Sequence, residues 1–296
     1  MKKFEVSTDS TCDLYASEID NLGIYVGHLS FIVDKGGDIT EHTDDFKSYQ
    51  EYVDFYNTLR SGAVAKTSIL NVETHVKLFT EMAEKGIKNA LHLTQSYGLS
   101  PTLDNANRAI EIVKEKYPDI NYKAIECRTT TVGEGMLVKV ACKIRDEGKD
   151  LDETIKVLED MKMKIQHLVI VDDLMFLKRG GRISGAKAVM GTLLKLKPII
   201  EFSKEGKLEV VRKEMGTKKA VKSIIEEAKH YTKNSTEFIG VVVHTDNLPL
   251  AKEVQNLVKE NFGYEPEIRI MGPIIGAHVG PNAVAYAFIS NEERPL

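Results

Sequence analysis

The chain has 296 residues, enough for two domains and substantial apolar burial. Its 42% hydrophobic and 28% charged residues exclude a disordered or membrane-embedded polymer, and a formal charge of −4 gives no overall drive toward nucleic acid or an anionic membrane. No run approaches the length of a membrane span, and MKKFEVSTDSTCDL turns polar before a signal-peptide core develops. Cys12, Cys127 and Cys142 form no C-x-x-C pair, so a cytoplasmic location is expected, with small buried thiols rather than disulfides or zinc.

Strand-like runs alternate with amphipathic helical ones. KKFEVSTDS predicts an opening strand ending in a polar loop, and GIYVGHLSFIV further strand. Tyr49, Val53, Tyr56 and Leu59 recur at helical spacing, with Gly62 as the stop. NVETHVKLFTEMAEKG predicts a helix capped by Asn71 that buries Val72, Val76, Phe79 and Met82. IKNALHLT is a strand, after which Ser100 and Pro101 start a helix that ends before Pro118. NYKAIE is a strand and VGEGMLVKVACKIRDEG a helix. This order predicts an N-terminal α/β domain over 1–160 with a mainly parallel sheet.

From about Leu151 the pattern restarts with the connecting helix LDETIKVLEDMKMKI and the strand HLVIVDD. KPIIEFSKEGKLEVVRKEM predicts a hairpin turning at Lys204-Glu205-Gly206. The next helix carries Ala220, Val221, Ile224, Ile225 and Ala228 on one face. Strand FIGVVVH, helix LPLAKEVQNLVKENF and strand EPEIRIM complete a C-terminal α/β domain, 161–296, whose sheet is mixed and contains that hairpin.

The chain has no Walker-type phosphate loop, no H-E-x-x-H helix and no G-x-S-x-G elbow, and GGRISG at 180–185 lacks the dinucleotide glycine spacing. Adjacent Asp172 and Asp173 would face opposite sides of a strand, so they read as a strand end and a cap. These absences weigh against a self-contained hydrolase, dehydrogenase or ATP-using kinase, and not against a binding protein.

Three hydroxyl-rich junctions follow strands: STDSTCDL at 7–14, KTSILN at 66–71 and LTQSYGLSPT at 93–102. In an open parallel sheet, ligands gather at the carboxyl ends of strands. Thr67, Ser68, Ser96 and Ser100 are placed to surround an oxyanion, or else simply to cap helices. GPIIGAHVGP, 272–281, sets His278 among small, apolar and turn-forming residues. Two readings stand open. One is a strand-to-loop transition with a core histidine; the other is a backbone laid against a ligand with His278 at its polar end. Lys178, Arg179, Arg182, Lys187, Lys195 and Lys197 make 172–200 locally basic, either as a solvated face or as a surface for phosphates or an acidic partner.

DSTCDL, KTS at 66–68, DDLMFLKRGGRIS, LKLKPII with its glycine hairpin, and GPIIGAHVGP occur here in an order that resembles the DegV family over essentially the whole chain. The resemblance implies two α/β domains with one long-chain fatty acid between them as bound ligand, no cofactor and no metal. Carried over by position, Thr67, Ser68 and His278 would hold the carboxylate, joined by Thr94 or Ser96. Such a protein would do no chemistry alone. It would present the carboxylate to a separate ATP-dependent kinase, making acyl phosphate for phospholipid synthesis, and Arg179 and Arg182 would dock that partner.

The chain departs from the family pattern at Cys12 in DSTCDL, at Asn71 in TSILN and in the longer LTQSYGLSPT segment, which puts chain selectivity in question. Two other readings remain: a small-molecule enzyme or kinase substrate-binding subunit using His278, and a lipid-responsive regulatory protein.

Overall fold

Three sheets organise the chain, described over residues 2–183, 196–233 and 239–294 of a computed structural model. In the first, β1 (Glu5–Asp9) lies between β2 (Tyr25–Gly27) and β6 (Asn89–Thr94), with β7 (Asn121–Glu126) outermost, all parallel. Alternation along β6 fixes what covers each face. Leu91 and Leu93 join the cluster of α5 (Val132–Asp146), while Ala90 joins that of α3 (Val72–Glu84) and α4 (Thr102–Lys116). Helix α1 (Ala16–Leu22) links β1 to β2, and helix α6 (Leu151–Lys162) packs on α5. The strand order reverses between β1 and β6, which opens a crevice at their carboxyl ends.

The second sheet, β4 (Ile39–Thr43), β3 (Ser30–Asp34) and β5 (Val64–Thr67), is antiparallel. GIYVGHLSFIV is therefore not one strand region but two strands in different sheets. β4 is exposed along its whole length, so it carries none of the alternating apolar pattern by which strands are read. Phe31 and Val33 instead pack with Phe55, Tyr56 and Leu59 of α2 (Tyr49–Arg60).

The third sheet has the order β10 (Leu208–Met215), β9 (Leu196–Phe202), β8 (Ile165–Ile170), β13 (Val284–Ile289), β11 (Gly240–His244), β12 (Glu267–Ile270). Only β11 and β12 pair in parallel, so the sheet is mixed, and β9–β10 is the expected hairpin. The reading of the sequence marks no element at 284–289, yet β13 runs between β8 and β11. Its buried residues form a continuous apolar run without helical or alternating period. Leu168 and Ile170 of β8, with Val284, Tyr286 and Phe288 of β13, face α8 (Thr217–Tyr231) and α9 (Leu248–Phe262). Val169 and Ala285, on the opposite face, join the core shared with the first sheet.

GPIIGAHVGP is not a strand-to-loop transition. Pro273–Val279 form a helix, α10, with Gly272 as N-cap and Pro273 at the first turn, where its missing N–H costs nothing. The glycines serve approach to protein groups: a β-carbon at Gly272, Gly276 or Gly280 would run into Asp13, the Tyr56 hydroxyl or the Phe176 ring. Tyr56 Oη also donates to the Met271 carbonyl at 2.7 Å, tying α10 to α2.

The opening motif builds a buried polar node rather than a loop in solvent. Thr11 Oγ1 contacts both Asp9 Oδ1 and Glu134 Oε2, the latter at 2.8 Å. One hydroxyl has one proton to donate, so one of these carboxyls must itself donate. Asp9 accepts backbone N–H groups from Thr11 and Gln95, at 2.9 and 3.3 Å, whereas Glu134 has only the Thr8 and Thr11 hydroxyls. Glu134 is therefore the neutral acid, and burial pushes its carboxyl well above the usual range. With the proton held in the folded state but released by the unfolded chain, stability falls as pH rises above the ordinary glutamate range. Urea unfolding across pH 5–8 should show Glu134→Gln gaining on the wild-type chain by roughly 1.4 kcal/mol per pH unit while Glu134 stays protonated. Parallel curves for the two proteins would contradict this assignment.

Candidate ligand-binding cavity

The face of the third sheet not covered by α8 and α9 lines a narrow cavity. Alternate residues of β8 and its continuation, His167, Val169 and Val171, point into it, joined by Ile200 and Phe202 of β9. The opposite wall comes from the carboxyl edge of the first sheet, with Leu29, Gln95, Thr130 and Thr131. α10 contributes Ile274, Ile275 and Val279, and α7 (Met175–Arg179) contributes Leu177. The lining is mostly apolar.

Thr67 ends β5 and Ser68 follows it; both line the cavity. Thr67 Oγ1 lies 2.9 Å from His278 Nε2. Ser68 Oγ is 2.6 Å from Ser30 Oγ, so it belongs to a hydroxyl pair on the more exposed side. Gly180 is required beside this cluster, because a β-carbon there would collide with His278 Nδ1. Arg182 donates to the carbonyls of Leu99, at 3.3 Å, and Gly180, and also lines the cavity. Burial, with the Arg182 charge, lowers the His278 imidazole to about 4. The ring is neutral at neutral pH, and Arg182 supplies the positive charge.

The remaining polar lining lies elsewhere on the wall. His167 Nε2 is 2.8 Å from Thr129 Oγ1, and burial holds that imidazole at about 3. Thr131 Oγ1 donates to Asp13, and Ser100 borders the cavity from the loop before α4.

Thr67, Ser68 and His278 are thus brought together. Thr94 and Ser96 are not among the lining residues: Thr94 Oγ1 faces the carbonyls of Gln95 and Ile125, and Ser96 Oγ donates to the Gly206 carbonyl at 2.8 Å. Ser96 therefore joins the first half to the β9–β10 turn, and Gln95, Leu99 and Ser100 are the residues of that segment which reach the cavity. Arg182 turns into the cavity rather than standing on the surface, whereas Arg179 is exposed and stacks over Phe176, 5.5 Å from the ring centroid. Lys197 pairs with Asp172 at 2.5 Å, and Asp173 accepts the Met175 N–H at 2.8 Å as a cap. Lys187 and Lys195 lie outside the described residues. Asn71 caps α3 through the Thr74 N–H, at 2.8 Å, and does not line the cavity. Cys12, Cys127 and Cys142 are buried, and burial pushes each thiol upward.

Arg182 as a cavity residue and His167 were not evident from sequence. The alternation His167, Val169, Val171 carried the signal for the second; nothing in GGRIS gave the direction of the first. Among the described residues no group of acidic, histidine or cysteine side chains is arranged to hold a metal, and no helix is long and apolar enough to cross a membrane.

Residues 3–291 match the sequence profile of a family of uncharacterised proteins, the DegV family. A DegV domain-containing protein of Clostridium perfringens is 34% identical over 297 residues, covering 100% of both chains. The crystal structure of a DegV lipid-binding protein from Thermotoga maritima is similar at a TM-score of 0.83 and 26% identity, covering 99% of this chain and 100% of that one. A fatty-acid-binding DegV family protein from Thermus thermophilus gives 0.83 and 26% as well, covering 97% and 99%. With the family's match running nearly end to end and a solved member superposing over almost the whole chain, this chain belongs to the DegV family.

Proposed function

We propose that this chain binds one long-chain fatty acid in the cavity, with its carboxylate at Thr67, Ser68 and His278 and its tail along the apolar face of β8 and β9. The observation that carries this reading is the junction of one hydroxyl–imidazole–guanidinium cluster with a narrow, mostly apolar channel. A tail of about sixteen carbons, at ~0.8 kcal/mol per buried methylene, supplies on the order of 10 kcal/mol before the costs of binding. The fatty-acid and lipid binding of the similar proteins from Thermus and Thermotoga supports the same ligand class.

The neutral imidazole has a definite role in this arrangement. With its proton on Nε2, His278 donates to Thr67 Oγ1, and the Thr67 hydroxyl proton is free for the carboxylate. His278 acts as a positioning residue, and Arg182 offsets the charge of the head group in an apolar setting. No chemistry is assigned to the chain alone. A separate ATP-dependent kinase would transfer the γ-phosphoryl group of ATP to the carboxylate oxygen, giving acyl phosphate and ADP. Exposed Arg179 serves that partner; Arg182 belongs to the cavity. The chain divides, in this reading, near the α6–β8 connection into 1–160 and 161–296.

Displacement of a fluorescent fatty acid by palmitate should show Thr67→Val and His278→Ala each weakening binding by about tenfold, the worth of one good hydrogen bond. The double variant should be little worse than either, because the two residues act as one unit. Unchanged affinity in both single variants would remove the carboxylate assignment. Since His278 is already neutral above about 4, the wild-type affinity should show no step attributable to it between pH 5 and 8. Arg179→Glu should cut acyl phosphate formation several-fold at limiting kinase while leaving palmitate affinity unchanged; equal loss of both would place Arg179 in the ligand site instead.

A further inference from the structure

The N-terminus of α10 meets two carboxyls that the fatty-acid reading does not use, Asp13 half-buried and Asp44 buried. Asp13 Oδ1 accepts the Gly272 N–H at 3.1 Å, and Asp13 Oδ2 takes the Thr131 hydroxyl. Asp44 stands on the other side of Gly272: a β-carbon there would come within 3.7 Å of Asp44 Oδ1 and into Asp13 Oδ1. Asp44 Oδ2 is buried without a hydrogen-bond partner. Two such acids cannot both ionise cheaply so close to one another. The backbone is strained on both sides of the Thr131–Asp13 contact, with φ of 52° at each residue, a conformation costly for a β-branched threonine.

We propose that Asp13, backed by Asp44, is a proton-operated positioning residue for α10, and through α10 for His278 and the cavity wall. α10 begins just after the residue Asp13 holds and carries His278 in its last turn, and Met271, Ile274, Ile275 and Val279 along this segment all line the cavity. Loosening its first turn therefore moves the wall and the Thr67–His278 pair together. Burial raises Asp13 to about 7 and raises Asp44 well above its ordinary value. Opening α10 hydrates Asp13 and returns it toward the usual carboxylate range. The closed arrangement is thus the one that binds the proton, and its stability falls as pH rises through about 7.

Other charged and titratable groups surround the pair. Asp9 stands on β1 and Glu134 on α5, both pushed upward by burial. On β12, Arg269 donates to the Asp13 carbonyl at 3.2 Å and pairs with Glu18 and Glu267. The hydroxyls of Tyr15, Tyr52 and Tyr56 and the Cys12 thiol are pushed above their ordinary values. His28 Nδ1 lies 2.6 Å from the Asp44 carbonyl oxygen, with Asp45 and Lys47 on the same rim. Only a component of the pH profile that Asp13→Asn removes is therefore assigned to Asp13.

The test compares wild type with Asp13→Asn, which mimics the protonated acid, from pH 6 to 8.5. Hydrogen exchange on lipid-stripped protein, corrected for intrinsic rates, should show protection of 272–280 falling about tenfold in wild type and staying flat in the variant, with α8 unchanged in both. Dissociation of bound palmitate should accelerate several-fold over the same range only in wild type. If Asp13→Asn fails to fold, Asp44→Asn, whose amide can donate to Asp13, should move the wild-type midpoint to lower pH. Identical profiles in wild type and the folded variants would overturn the proposal. The palmitate measurement rests on the fatty-acid reading and the exchange measurement does not, so absence of palmitate binding with a normal exchange result would sink that reading alone.

Discussion

The rest of the structure depends on one constraint: the six-stranded sheet is apolar on both faces, and its own helices cover only one. Leu168, Ile170, Tyr286 and Phe288 are satisfied by α8 and α9. His167, Val169, Val171, Ile200 and Phe202 must find cover elsewhere, and the carboxyl edge of the parallel sheet supplies it. A strand edge with its loops cannot fill a flat face as a helix can, because it brings turns and hydroxyls rather than a continuous apolar stripe. The space left over is the cavity. Its shape follows from pairing a sheet face with a sheet edge, and its polarity from the junction residues that such an edge carries.

The small antiparallel sheet and α10 close this space from the side. Phe31, Phe55, Tyr56 and Leu59 give α10 an apolar seat in Ile274 and Ala277, and the seat positions His278 against Thr67. Residues from near residue 13 and near residue 272 thus meet at one end of α10, and residues near 67, 180 and 278 at the other. Each of these contacts joins segments far apart in sequence. The motif segments 9–14, 66–68, 178–183 and 272–281 are consequently one spatial unit around a single short helix.

Much of the fold was legible. Helices with a clear apolar face, such as Ala220, Val221, Ile224, Ile225 and Ala228, and the hairpin at Gly206 were readable because their periodicity or turn chemistry is local. β4, wholly exposed, and β13, buried at every residue but its last, were not, since neither alternates. α10 was misread because glycine and proline suggest a loop, whereas Gly272 and Gly276 are set by the bulk of Asp13 and Tyr56. The site was partly legible. Thr67, Ser68 and His278 converge, but which hydroxyls of 94–100 face inward depends on Ser96 bonding to Gly206, a contact 110 residues away in sequence. The inward turn of Arg182 depends in the same way on the Leu99 and Gly180 carbonyls.

The central claim is that the channel holds an acyl chain. The most direct measurement is organic extraction of freshly purified, denatured protein followed by mass spectrometry for carboxylic acids. The account predicts near-stoichiometric long-chain fatty acid, its length and saturation reporting the channel's preference. No acid above background, even after incubation of the purified protein with a range of fatty acids, would contradict it.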